Sequence, residues 1–195
     1  MNLYLNKYKY TQTWFVGSEI RKRLLSYISK DSKINMLEIG CFEGLSGCAF
    51  SDCILNHVES TIDCVDPYIL TNTDPKITSQ NITNMTEKLF KSNIAKSKNS
   101  EKVTFHKMTS DKFFETNKKL FNLIYIDGCH DPEFIKNDME NSFACLEKNG
   151  IMWMDDYEGG KVPKLCKIPM NKFLEKYKGQ YKILHKNYQL AIKKL

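Results

Sequence analysis

The chain is poor in residues that break, staple or span. Its 195 residues include five Pro and nine Gly, with no glycine period and no low-complexity linker, which excludes a collagen-like or flexible-linker protein. No stretch approaches the ~20 apolar residues of a membrane span. The first ten residues alternate apolar side chains with Asn and Lys and lack the apolar core of a signal peptide. Seven cysteines, at 41, 48, 53, 64, 129, 145 and 166, contain no C-x-x-C pair. Most lie in apolar runs, so they read as reduced, buried thiols rather than disulfides or a zinc site. A soluble, cytoplasmic chain is expected. Arginine is missing from residues 159–195, which hold ten Lys and one acid, Glu175. The preceding stretch 120–158 is acidic, with nine acids and two Lys. Without arginine or a recognition motif the basic tail reads as a solvated face; nucleic acid as a partner rests on that tail alone.

What is present is ordinary globular composition, 42% hydrophobic and 27% charged, in a length that suits one domain. Residues 1–195 read as a single domain with 1–30 as an N-terminal helical extension, its helix at 14–29. Beyond it, short apolar runs alternate with amphipathic stretches. Strands are expected at 34–39, 61–65, 103–107, 123–126 and 151–154, and helices at 45–57, 82–97, 111–117, 132–147 and 169–177. A loop is expected at 71–81, and Asn149-Gly150 should stop the helix before the fifth strand. Runs 181–185 and 188–193, separated by Lys186-Asn187, make an antiparallel hairpin. The alternation implies an α/β protein: a three-layer α-β-α sandwich around a mostly parallel sheet of seven strands. Ligands in such sheets bind at the carboxyl ends of the strands.

Those ends carry the chemistry. Gly40 and Gly44 bracket the turn after the first strand, allowing a ligand close to the backbone. A dinucleotide fingerprint places a glycine where Phe42 stands, which disfavours pyrophosphate and favours a ligand without phosphates. Glu38 is placed to orient an ammonium group, and Ser46 to cap the next helix or face the ligand. Asp66 ends the second strand, where an acid accepts ribose hydroxyls; its bland role is to start a turn before Pro67. Ser110 and Asp111 follow the third strand, at the adenine edge or as helix caps. Asp127 and His130 end the fourth strand, and Asp155 and Asp156 the fifth. Three carboxylates at one rim repel unless a cation separates them, and oxygen ligands suit Mg²⁺. Asp127, Asp155 and Asp156 are therefore the candidate metal ligands. His130, whose imidazole has an unperturbed pKa near neutral, is the candidate base, with a helix cap before Pro132 as its alternative role.

Six segments taken together resemble a known family. They are Leu-Glu-Ile-Gly-Cys-Phe-Glu-Gly at 37–44, Asp-Pro-Tyr at 66–68, Tyr-Ile-Asp-Gly-Cys-His-Asp at 125–131, Gly-Ile-Met-Trp-Met-Asp-Asp-Tyr at 150–157, and the flanks Thr-Trp-Phe at 13–15 and Tyr-Gln-Leu-Ala-Ile-Lys-Lys at 188–194. In that order they resemble the class I S-adenosylmethionine-dependent methyltransferases, and more narrowly methyltransferase family 24. The resemblance implies a Rossmann-like sheet in the order 3-2-1-4-5-7-6 with the seventh strand antiparallel. It implies S-adenosyl-L-methionine as cofactor, with contacts at Glu38, Gly40, Gly44, Asp66 and Ser110; Phe42, Ser46, Tyr68 and Asp127 complete the expected cofactor-binding set. It implies a methyltransferase acting on oxygen, with a small hydroxylated molecule or sugar as acceptor and Mg²⁺ as an auxiliary ion. Two positions depart from the pattern. Cys129 stands where some sugar enzymes carry a second acid as base, which shifts that role to His130 beside Asp127. Met108 stands where a glycine is expected before Ser110. The alternatives are an RNA methyltransferase acting on a cap ribose, and a cofactor-binding module without turnover.

Overall fold

The computed structural model describes residues 5–69, 80–158 and 163–195. The expected loop at 71–81 falls almost wholly outside them. Seven strands form one sheet in the order β3-β2-β1-β4-β5-β7-β6. They are β1 (Asn35–Ile39), β2 (Thr61–Val65), β3 (Val103–His106), β4 (Phe121–Ile126), β5 (Leu146–Met154), β6 (Tyr181–Lys186) and β7 (Leu190–Lys194). The first five run parallel, and β7 lies antiparallel between β5 and β6. The central strands are near-continuous apolar runs because helices cover both faces.

On one face, Phe15, Ile20 and Leu24 of the N-terminal segment pack with Phe50 of α2 (Leu45–Cys53) and Phe90 of α3 (Gln80–Ile94) against Met36, Tyr125 and Trp153. On the other, Phe113 of α4 (Ser110–Thr116), Met139 and Phe143 of α5 (Pro132–Cys145) and Phe173 of α6 (Pro163–Lys176) cover Leu37, Ile124 and Met152.

Several boundaries differ from the sequence reading. The expected helix 14–29 is broken into a 3-10 turn at Trp14–Gly17, α1 (Glu19–Arg23) and a second 3-10 turn at Leu24–Ser26. Ser18 is extended there, with φ −60° and ψ 148°. Helix α5 stops at Cys145, before Asn149-Gly150, and Leu146 already pairs with Phe121 in the sheet. Asn149 is left-handed, at φ 66°, within β5. Helix α6 starts six residues early and runs through Pro169. Buried Cys166, Met170 and Phe173 hold that helix in place although proline removes one backbone donor. The hairpin loop has three residues, Asn187 to Gln189, rather than two. Gln189 is drawn inward, its Oε1 accepting from Ile20 N at 2.7 Å and Trp153 Nε1 at 2.8 Å.

Candidate active site

The sheet ladder continues one residue past each strand, and this sets the site. Gly40 N donates to Val65 O, Asp127 N to Ile39 O and Asp155 N to Ile126 O, each at 2.9 Å; Asp66 N donates to His106 O at 3.2 Å. Gly40, Asp66, Asp127 and Asp155 therefore stand in one row along the carboxyl rim.

Between them runs the Gly40–Gly44 turn. Gly40 has φ +82°, and a Cβ there would sit 2.0 Å from the Asp127 carbonyl oxygen. The turn and the end of β4 are thus in backbone contact, which only glycine permits. Phe42 is also left-handed, at φ 42°. Its N–H donates to Asp66 Oδ2 at 3.0 Å, and Tyr68 N donates to Oδ1 at 2.9 Å. The Tyr68 hydroxyl returns to the Phe42 carbonyl. Asp66 thus ties the two loops together, and burial raises its carboxyl pKa against these backbone bonds. Each carboxylate oxygen keeps further acceptor capacity. Trp14 stacks on Phe42 at 5.4 Å between ring centres, and half of its surface faces solvent (53%).

Glu38 lies beneath the turn, fully buried. Ser46 donates to its Oε1, and Cys64 Sγ donates to Oε2 at 3.2 Å. The left-handed Gly44 occupies the cap position of α2, so Ser46 is spent on Glu38 rather than on capping. Burial pushes the Glu38 carboxyl up to about 7, opposed by the Ser46 and Cys64 bonds. The folded protein therefore keeps a proton that the unfolded chain, at its ordinary 4.5, has released. Stability should fall as pH rises through that window, because the native state binds more protons there. Glu38→Gln should flatten this slope, sparing roughly 3 kcal/mol between its ends. Urea unfolding of both proteins at pH 4.5 and 7.5 checks it; equal slopes would contradict the assignment.

The acidic cluster lies at the ends of β4 and β5. Tyr125, buried in β4, has its hydroxyl 2.5 Å from Asp155 Oδ2 and 3.2 Å from Asp127 Oδ2. Burial, followed by the charges of Asp155 and Asp156, raises Asp127 well above the ordinary carboxylate range. Asp155 is raised by burial and by Asp156. Asp156 differs: burial opposes ionisation, but His130 and Tyr188 hold it below the usual range. His130 Nε2 is 2.9 Å from Asp156 Oδ2, and Tyr188 donates to Oδ1 at 2.7 Å. Asp127, His130 and Asp156 each bring a donor atom within 4.8 Å of the others. Asp155 instead accepts from Tyr125 and, at 2.8 Å, from Asp156 N. The structure thus gathers a set of two carboxylates and an imidazole, with the third expected ligand turned toward Tyr125. A small pocket reaches from this set to Cys129, Cys166 and Met170.

The helix caps fall on neighbours of the expected site residues. Thr109 Oγ1 accepts from Lys112 N at 3.3 Å, and Asp131 Oδ1 from Glu133 N at 2.9 Å. Ser110 and His130 are therefore not needed as caps. Sequence reasoning missed Tyr125, Trp14 and Tyr188, whose hydroxyls or exposed faces were hidden in apolar or aromatic runs.

Residues 37–157 match the family model described as a methyltransferase domain. No curated protein matches the chain in sequence. Solved structures that share its fold include the following three. A Clostridium thermocellum protein described as a candidate rRNA methylase is 15% identical, with a TM-score of 0.63, covering 95% of this chain and 100% of its own. A Staphylococcus aureus protein described as a candidate caffeoyl-CoA O-methyltransferase is 18% identical, with a TM-score of 0.62, covering 97% and 86%. The O-methyltransferase TomG of Streptomyces achromogenes, solved with S-adenosylmethionine, is 13% identical, with a TM-score of 0.65, covering 91% and 80%.

Proposed function

The chain belongs to the methyltransferase-domain family, the S-adenosylmethionine-dependent methyl-transferring enzymes, and on that premise we propose that it methylates an oxygen of a small hydroxylated molecule or sugar. The observation that carries this reading is the rim itself: a glycine turn touching the end of β4, with an acid at each neighbouring strand end. Rim acids at Asp66 and Asp127 suit a ligand that brings cationic groups and a ribose. The turn, with Phe42 in it, has no cradle for a pyrophosphate. Gly40, Phe42 and Gly44 would flank the ligand, Asp66 would accept its ribose hydroxyls, and Tyr68 would brace that acid. Ser110 would border the adenine. When bound, S-adenosylmethionine supplies a methyl group already activated by a sulfonium charge.

The protein then has two tasks, alignment and removal of the acceptor's proton. His130, held by Asp156, takes that proton as general base. The carboxylate oxygens of Asp127 and Asp156, with Asp155 beside them, would suit a hard divalent cation and leave the proton-accepting role to His130. Such an ion would lower the acceptor hydroxyl's pKa. The basic tail offers less to an RNA than its sequence suggests. Lys176 pairs with Glu140 at 2.9 Å, Lys167 pairs with Glu158, and Lys194 Nζ donates to Phe143 O and Leu146 O at 2.7 and 2.8 Å.

Calorimetric titration of S-adenosylhomocysteine tests the cofactor reading, and absence of heat from well-folded protein sinks it. Transfer of a radiolabelled methyl group to a panel of catechols, phenols and sugars, with and without Mg²⁺, tests the acceptor class. His130→Ala should lower that transfer about 10²–10⁴-fold while leaving cofactor affinity within twofold. Undiminished transfer would remove the base assignment.

A further inference from the structure

Asp138 stands on α5, eight residues past His130, and is 3% exposed. Its Oδ1 has no hydrogen-bond partner among the described residues. Its Oδ2 faces the loop after β4: a Cβ on Gly128 would lie 3.4 Å from it, and 3.3 Å from Ile39 Cγ2. The side chain of Ser110, the first residue of α4, lies beside it and favours its ionised form. One buried carboxyl therefore touches two rim loops, the one after β3 and the one after β4. Ser110 is not occupied in capping, which Thr109 performs. Burial pushes the Asp138 carboxyl up to about 7, with Asp111 adding to the rise and Ser110 opposing it. Keeping so poorly solvated a group inside a helix pair is costly. A plain core position would be served better by an apolar side chain.

We infer that Asp138 is a positioning residue for the adenosyl subsite, fixing the Ser110 hydroxyl and the Gly128 loop where the adenine edge docks. The inference rests on the cofactor reading above and deepens it. Asp138 acts through Ser110: its carboxyl sets the hydroxyl's direction and, with Gly128 packed on it, the spacing between the two loops. Affinity for the adenosine half of the ligand should then depend on Asp138, and the amino-acid half should not.

The test is calorimetric titration of two probes, S-adenosylhomocysteine and 5′-methylthioadenosine, which shares the adenosine but lacks the amino acid. Asp138→Ala should weaken both about tenfold, roughly the loss of one hydrogen bond to a charged group. Asp138→Asn, which keeps an acceptor for Ser110, should stay within threefold of the parent. Ser110→Ala should match Asp138→Ala, and the double variant should be no worse than either single one, because both remove one linkage. Ser142→Ala, one turn along α5 at another buried hydroxyl without a partner, should bind as the parent does and controls for core disturbance. Where alanine at 138 prevents folding, Asp138→Leu carries the same expectation. Parent-like binding by Asp138→Ala, or losses that multiply in the double variant, overturns the positioning role alone. Failure of the unaltered protein to bind either probe overturns the cofactor reading, and the inference with it.

Discussion

Replacing Gly40 with alanine is expected to abolish S-adenosylhomocysteine binding and to destabilise the fold by about 2–5 kcal/mol. Two costs combine. An L-residue held in the left-handed region costs roughly 1–2 kcal/mol, and overpacking a tight site costs roughly 1–3 kcal/mol. The second cost is unavoidable here because the new methyl group would meet backbone. It would lie 2.0 Å from the Asp127 carbonyl oxygen and 2.8 Å from Gly128 Cα, and the sheet ladder holds both strands in register. Relief requires the turn to lift from β4, which separates Asp66 from Asp127. Gly179 supplies the control. It shares the left-handed backbone, at φ +85°, but a Cβ there meets nothing within 4 Å. Gly179→Ala should cost only about 1 kcal/mol and leave binding intact. Chemical denaturation and calorimetry on the two variants measure the difference. Equal behaviour would mean that contact with β4 is not what the turn requires.

Much of this arrangement is legible in the residues, for an identifiable reason. Runs such as Leu123–Ile126 and Ile151–Met154 are apolar on both faces and end at a polar residue, so they announce buried parallel strands and mark where their carboxyl ends lie. Once the strand ends are known, Gly40, Asp66, Asp127 and Asp155 fall on the rim together. Burial and direction are not legible. Glu38 reads as a ligand-facing acid, yet it sits under the turn with Ser46 and Cys64. Asp155 and Asp156 are adjacent in sequence and differ in environment because the backbone at Asp156 turns left-handed, at φ 57°. One carboxyl is raised beside Tyr125, and the other is lowered beside His130. Tyr125 and Asp138 were hidden for opposite reasons. The tyrosine passes as one more apolar residue in a strand. The aspartate passes as one more polar residue on an amphipathic helix.

The acidic cluster gives the second large effect, which takes opposite signs for activity and stability. Asp127→Asn should lower methyl transfer at least a hundredfold, since it removes a carboxylate from the proposed cation site. The same change should raise the melting temperature of EDTA-treated protein near neutral pH. Asp127 is buried beside Asp155 and Asp156, so both forms of its carboxyl are costly: the anion is desolvated and repelled, and the acid must hold a proton against bulk solvent. Asparagine keeps the shape and the acceptor for Tyr125 without a charge. Each kilocalorie recovered should appear as about 2–4 °C in a chain of this size. A group whose pKa is raised on folding loses stability as pH climbs above its unfolded value. The advantage of the asparagine variant should therefore shrink toward pH 4, where both states hold the proton. Adding Mg²⁺ should reverse the ranking, stabilising the parent through binding and leaving the variant nearly unmoved. If Asp127→Asn is inactive but less stable than the parent at neutral pH without metal, like-charge crowding is not what raises this carboxyl. If Mg²⁺ shifts both proteins equally, the cation does not sit at Asp127.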